Sequence, residues 1–356
     1  MQEASADVIE QTVSLPMAVE YDTNATLVNS NARSVTRSIT TPRYKLISGN
    51  GISEMSADFA FSIERSSDQS VRLDRDDPSL ALLWRTEFPR GSMSLRASYD
   101  QTSILVSELA DTGLVQAEGT RRNQNLNASY SHFLTDRLAL SLNGGYTQVR
   151  YSGGTLVNSQ QPSVSTMLDY QYSDVLKPFF QVSFSKFQPD NQQPGNQQPD
   201  SDYLAAVAGA VWQWSDRLDL TFNAGMNRIK AGQNDTGFQG EFRLKHLYER
   251  YLTTVGLARS IAPSGIGGFI ESDTLQAGVA YDLTGRSGLG SDFAIRKVNG
   301  LDKSEFSQLN LFYRYSINPE WDMRVNTQFR SRTDAFDNTA TGKLLGFTLN
   351  YVNPKF

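Results

Sequence analysis

From Leu138 to Thr147 apolar and small polar positions alternate. Leu138, Leu140, Leu142, Gly144 and Tyr146 make one set; Ala139, Ser141, Asn143, Gly145 and Thr147 make the other. The pattern returns in "SDRLDLTFNAGMNR", where Leu218, Leu220, Phe222, Ala224 and Met226 oppose Asp219, Thr221, Asn223, Gly225 and Asn227. It returns again in "SQLNLFYRYSI" and "NPEWDMRVNTQFR". A period of two is the signature of a β-strand with two unlike faces. Charges such as Asp322, Arg324 and Arg330 on the second face require water or a partner.

Across the whole chain this pattern predicts about eighteen strands, with sixteen the nearest competitor. The first is expected at 16–28, the second at 34–48 and the last at 340–352; no helix is predicted. Most are longer than the roughly five or six residues of ordinary globular strands. They are long enough to cross a bilayer when tilted. Tight turns such as "TD" (135–136), "SD" (215–216) and "NPE" (318–320) alternate with longer polar loops at 66–78, 106–119, 152–162, 188–201, 263–269, 299–304 and 333–339. Alternation of short periplasmic turns with longer external loops is a habit of outer-membrane barrels.

Aromatic residues sort to the two ends of these strands. Phe88, Phe133, Tyr172, Trp214, Tyr248, Tyr251, Tyr315 and Trp321 lie beside the short turns. Tyr99, Tyr146, Phe187, Tyr203, Phe238, Phe306 and Phe329 lie near the long loops. Two aromatic belts fit two membrane interfaces. The expected fold is therefore all-β: a closed antiparallel transmembrane β-barrel over 15–356, preceded by a periplasmic segment or partial plug at 1–14. The apolar face packs on lipid and the polar face lines a lumen. The last strand carries Leu345, Phe347, Leu349 and Tyr351 in phase. Phe356 is out of phase by one, so a bulge near Asn353 is expected to restore it.

Composition sharpens this picture. Apolar residues make up 39% and aromatics 11%, leaving few aliphatic side chains to fill a core beneath so many rings. The longest apolar run, about Leu204 to Trp212, is too short for a membrane-spanning helix. The absence of cysteine excludes a disulfide framework. A net charge of −5 argues against nucleic acid as a partner. "MQEASADVIEQ" has neither a basic n-region nor an apolar h-region, so a mature form with an added start Met is the expectation.

Candidate chemistry is sparse. His132 and His246 both fall on the apolar face near short turns, where an interfacial side chain with its polar tip in the headgroups is expected. No catalytic or nucleotide-binding signature is present, and neither "RLDRDDPS" nor "PDNQQPGNQQPDSD" has the spacing of a calcium loop. No enzyme, cofactor or metal is expected. The "NQQP" repeat at Asn191 and Asn196 reads as solvated linker, and "GIGGF" (265–269) as a flexible loop. What remains is the lumen, whose expected lining includes Arg96, Asn127, Asn143, Asp219, Asn223, Glu241, Arg243, Gln276, Arg314, Arg324 and Asn326. Mixed charge with many amides suits a neutral or hydroxylated solute. The longest internal loops run to only about 14 residues, so a narrow eyelet made by one long inward loop is not expected.

"YDTN" (21–24), the following Pro42-bearing strand and the stretch from "YDQTSILVSELADTGLVQAEGTRRNQNLNASYSHF" to "LTDRLALSLNGGYTQVRY" carry a resemblance. In these the chain resembles outer-membrane β-barrels associated with exopolysaccharide secretion systems, the VpsM-like and exosortase-associated barrels. The resemblance implies a bacterial outer-membrane pore for polysaccharide export, in contact with outer-membrane lipid and lipopolysaccharide and with periplasmic secretion components. The competing expectation is a porin for uptake of small solutes or oligosaccharides.

Overall fold

In the computed structural model, which describes residues 8–112, 118–153, 156–190, 198–231, 233–299 and 303–354, the alternating segments form one antiparallel sheet closed on itself. The strands are β1 (Val8–Asp22), β2 (Val35–Thr40), β3 (Arg43–Gly49), β4 (Ser53–Ser66), β5 (Arg75–Phe88), β6 (Gly91–Ser103), β7 (Thr120–Phe133), β8 (Leu138–Ser152) and β9 (Ser159–Tyr170). They continue with β10 (Leu176–Pro189), β11 (Ser201–Ser215), β12 (Leu218–Ala231), β13 (Gln233–Tyr248), β14 (Tyr251–Pro263) and β15 (Phe269–Thr284). The last are β16 (Ser287–Asn299), β17 (Ser304–Ser316), β18 (Trp321–Thr333) and β19 (Thr339–Pro354). One helix, α1 (Ile104–Thr112), follows β6.

Neighbours in sequence are neighbours in the sheet, and β1 closes the ring by pairing with β19 from Thr12↔Pro354 to Asp22↔Leu344. β2 and β3 are two halves of one stave, since both pair with β1 on one side and β4 on the other. The break falls at Thr41–Pro42, where proline has no N–H to give to the ladder. The wall thus has eighteen staves, the number expected.

The apolar face points outward. Met226 is 66% exposed, Leu204 48% and Phe222 42%, values a soluble sheet does not tolerate along a whole face. A buried apolar cluster, Ala25, Val35 and Val71, sits among the external loops rather than inside the ring. Lipid takes the place of a core. Beside the short turns the outer aromatics pair across strands, Phe88 with Tyr130, Tyr251 with Tyr281 and Trp321 with Tyr351, and along β11, Trp212 with Trp214, at 4.4–5.8 Å between ring centroids. His132 and His246 belong to this girdle, stacked on Tyr130 and Tyr248.

Three expectations change. β1 starts at Val8, so residues 8–14 are wall rather than plug; residues 1–7 lie outside those described. Without Val8–Ser14 the lower edges of β3 and β19 would face lipid unpaired, which a membrane does not permit. The same strand stops at Asp22 instead of running to 28, because the Asn24 side chain turns the chain. Its Nδ2 donates to the Val28 carbonyl at 2.8 Å and to the Thr341 carbonyl at 2.9 Å, and Leu27 takes a φ of +46°. Finally, β19 pairs with β1 without a register shift through Asn353, so the expected bulge is absent. Phe356 and most of the "NQQP" repeat lie outside the described residues.

The orientation is open to a direct check. A cysteine at Asp337, in the loop between β18 and β19, should react with an impermeant thiol reagent on intact cells. One at Asp216, in the short turn between β11 and β12, should not.

Candidate functional site

The lumen-facing phase brings the expected residues together in groups. Arg96 sits opposite Asn127, and both line a cavity of about 660 Å³ with Asn143. Asp219, Glu241, Arg243 and Gln276 line a second, of about 610 Å³, further round the wall. Asn223 stands between Gly209 and Glu241. On the far side Arg324 lies over the Phe312 ring at 4.1 Å, and Arg314 is ion-paired with Asp282 towards the short-turn end. Asn326 faces Phe312 and Gly346 across its two ladders. A Cβ on Gly346 would stand 2.7 Å from the Asn326 side-chain oxygen, so glycine gives that amide its room.

Near the external mouth the wall is interrupted. β13 stays paired with β12 up to Ala231↔Gln233, and β14 with β15 up to Pro263↔Phe269. Yet β13 and β14 part above Gly240↔Arg259. The top of the β14–β15 hairpin therefore leaves the wall. Arg259 marks the parting and is fixed to Asp273 on β15 by two hydrogen bonds, at 2.6 and 2.8 Å.

Beyond that point the hairpin turns into the lumen. Phe269 packs on Phe187 of β10 and Tyr203 of β11, with ring centroids 6.2 and 5.4 Å away. Phe187 is fully buried. The Tyr203 hydroxyl donates to the Gln239 side chain. The tip reaches further still: the Gly265 carbonyl accepts from the Val157 amide at 2.7 Å, and the Ile266 carbonyl from Gln198 Nε2 at 2.8 Å. A segment rooted in β14 and β15 thus meets the loop after β8, six staves away.

"GIGGF" is built for this. A Cβ on Gly265 would come within 2.7 Å of the Tyr151 hydroxyl, so a larger residue there would have to push that side chain off its bond to Glu108. Gly267 and Gly268 hold φ of +107° and +71°, in the left-handed region that glycine occupies without strain.

The other half of the constriction is α1, in a loop expected to lack secondary structure. Its Ile104, Leu105 and Leu109 are buried, and Glu108, 1% exposed, accepts from the Tyr151 hydroxyl at 2.9 Å. An ionic ladder along the neighbouring inner wall braces it. Glu20 pairs with Arg37, and Arg37 with Glu64 at 3.0 Å. Arg72 joins Glu64 to Glu118 at 3.1 and 3.7 Å, and Arg75 joins Glu118 to Asp77 at 3.6 and 2.8 Å. Buried arginines held by carboxylates on both sides fix geometry more than they add stability.

Two expectations are corrected here. Phe187 and Tyr203 do not join the outer aromatic belt; they share the inward phase of Ser185 and turn to the hairpin tip. And a constriction exists without a long inward loop, because two short segments approach each other from different staves. The signal available in sequence was the glycine spacing of "GIGGF". Among the described residues no group of histidine and carboxylate side chains is placed to hold a metal ion.

No family model and no curated protein matches the sequence. Solved structures do match it along its whole length. OccAB4 of Acinetobacter baumannii aligns with a TM-score of 0.56 at 9% identity, covering 99% of each chain. OpdO of Pseudomonas aeruginosa aligns at 0.57 and 12%, covering 98% of each. The outer membrane protein OpdK of Pseudomonas aeruginosa aligns at 0.55 and 11%, covering 97% of this chain and 98% of its own. The likeness is one of fold: a closed eighteen-stave barrel of the kind that spans the bacterial outer membrane.

Proposed function

We propose that the chain is a passive pore that lets small solutes cross the outer membrane and excludes polymers. The observation that carries this reading is the eyelet. A barrel of eighteen staves is wide enough for an aqueous channel. Here the β14–β15 tip and α1 reach into that channel and are held by hydrogen bonds and ring contacts. Such a filter suits small or slender solutes, taken inward when the cell consumes them.

Outer-membrane lipid and lipopolysaccharide are the partners of the outer band. The alternative, export of an exopolysaccharide with periplasmic secretion components, needs a path for a continuous chain, and the eyelet stands across it. The test is reconstitution of the purified barrel in a planar bilayer. Discrete, ohmic conductance steps are expected; a barrel that stays electrically silent would remove the reading.

A further inference from the structure

The middle of one arc of the lumen carries no charge, between Arg121 on the long-loop side and Asp169 and Lys177 towards the short turns. From Asn123 to Ser131 of β7, Ser141 to Thr147 of β8, Ser159 to Ser165 of β9 and Gln181 to Ser185 of β10, the lumen-facing positions are all Ser, Thr, Asn or Gln, apart from Gly145. Arg96 marks its edge. The wall from β12 to β16 is different in kind: Asp219, Glu241, Arg243 and Arg296 share a single cavity there, and the ionic ladder runs from β1 to β5.

The uncharged arc is also where the lumen has a cavity and an aromatic floor. The cavity of about 660 Å³ is lined by Asn127, Asn143, Gln161, Ser165 and Ser183, and ends at Tyr203 and Phe269 of the eyelet. That volume is within the range of small-molecule sites. The side chains are partly tied to one another: Ser129 donates to Asn143 at 2.7 Å and Thr147 to Asn125 at 2.8 Å. An amide carries two donor hydrogens and an acceptor oxygen with two lone pairs, so these bonds leave capacity facing the lumen.

We infer that this arc is a binding track for uncharged, polyhydroxylated solutes, of the size of a short oligosaccharide, along the channel wall beneath the eyelet. The inference rests on the solute-pore reading. Its chemical basis is reciprocity. A sugar hydroxyl both donates and accepts, and so do amides and hydroxyls; a carboxylate only accepts and a guanidinium only donates. Apart from Arg96 at its edge, the cavity offers an ionic solute no opposite charge. The Tyr203 and Phe269 rings offer an apolar surface for the C–H face of a pyranose ring.

The test is single-channel recording of the full-length barrel with maltohexaose as probe. A polyethylene glycol of matching hydrodynamic size is the inert control, and a hexameric oligogalacturonate the charged one. Maltohexaose should interrupt the current in resolved events longer than either control gives. The double variant Asn127→Ala/Asn143→Ala should shorten those events about tenfold, the loss of roughly one to two net hydrogen bonds. Asp219→Asn on β12, outside the arc, should leave them unchanged.

Equal residence for maltohexaose and polyethylene glycol overturns the inference, as does longer residence of the charged hexamer or events unmoved by the double variant. In each of these cases the channel still conducts and the pore reading stands. A silent channel overturns both together.

Discussion

Replacing residues 265–268 with a two-residue turn should raise single-channel conductance several-fold. Conductance is set at the narrowest section of a pore, and these residues bridge six staves across the mouth. Their removal breaks the Val157–Gly265 and Gln198–Ile266 hydrogen bonds. The wall itself is untouched, since below Arg259 β14 keeps its ladders with β13 and β15. Heat-modifiable mobility in gels, a measure of barrel assembly, should therefore stay native while conductance rises. Unchanged conductance would mean that the tip does not limit flow.

The opposite division between assembly and flow is expected on the outer face. Phe222 lies near the middle of β12, flanked by Ala210 and Phe242, and points to lipid. Phe222→Arg places a guanidinium in the hydrocarbon and should cost about 2–4 kcal/mol of barrel stability. Its neighbour Asn223 turns to the lumen beside Glu241, so Asn223→Arg puts the same charge in water next to a carboxylate. That variant should assemble normally. Urea titration of the folded barrel in bilayers reads both, and equal losses would contradict the assignment of faces.

These two pairs of results probe different levels of what the sequence made legible. The staves, their phase and the short-turn side followed from alternation alone, because lipid outside and water inside impose a period of two on nearly every residue. The ends of β1 did not follow. The run from Val8 to Ser14 alternates weakly, and only its neighbours β3 and β19 require it to be strand. The extent of the strand at Asp22 was hidden in one side chain, Asn24, that makes a turn with its own backbone and a bond to β19.

The constriction was the least legible part. It depends on contacts between Gly265 and Tyr151, and between Phe269 and Phe187, that are far apart in the chain. Nothing in the local pattern distinguishes an external loop that extends outward from one that folds in. Phe187 and Tyr203 illustrate the cost: their position near long loops suggested the outer belt, whereas their phase, shared with Ser185, is that of the lumen. The composition of the lining could be read residue by residue. That its uncharged part lies on one arc needed the order of the staves around the ring.

Solute flux into liposomes carrying the purified barrel tests the central claim most directly, because it measures size selection by an open pore. With a graded series of neutral solutes, from monosaccharides to long dextrans, rapid entry of the smallest and exclusion of the dextrans is the predicted result. Shortening the 265–268 tip should move the cut-off to larger solutes. Entry of long dextrans through the intact barrel, or entry of no solute at all, would contradict it.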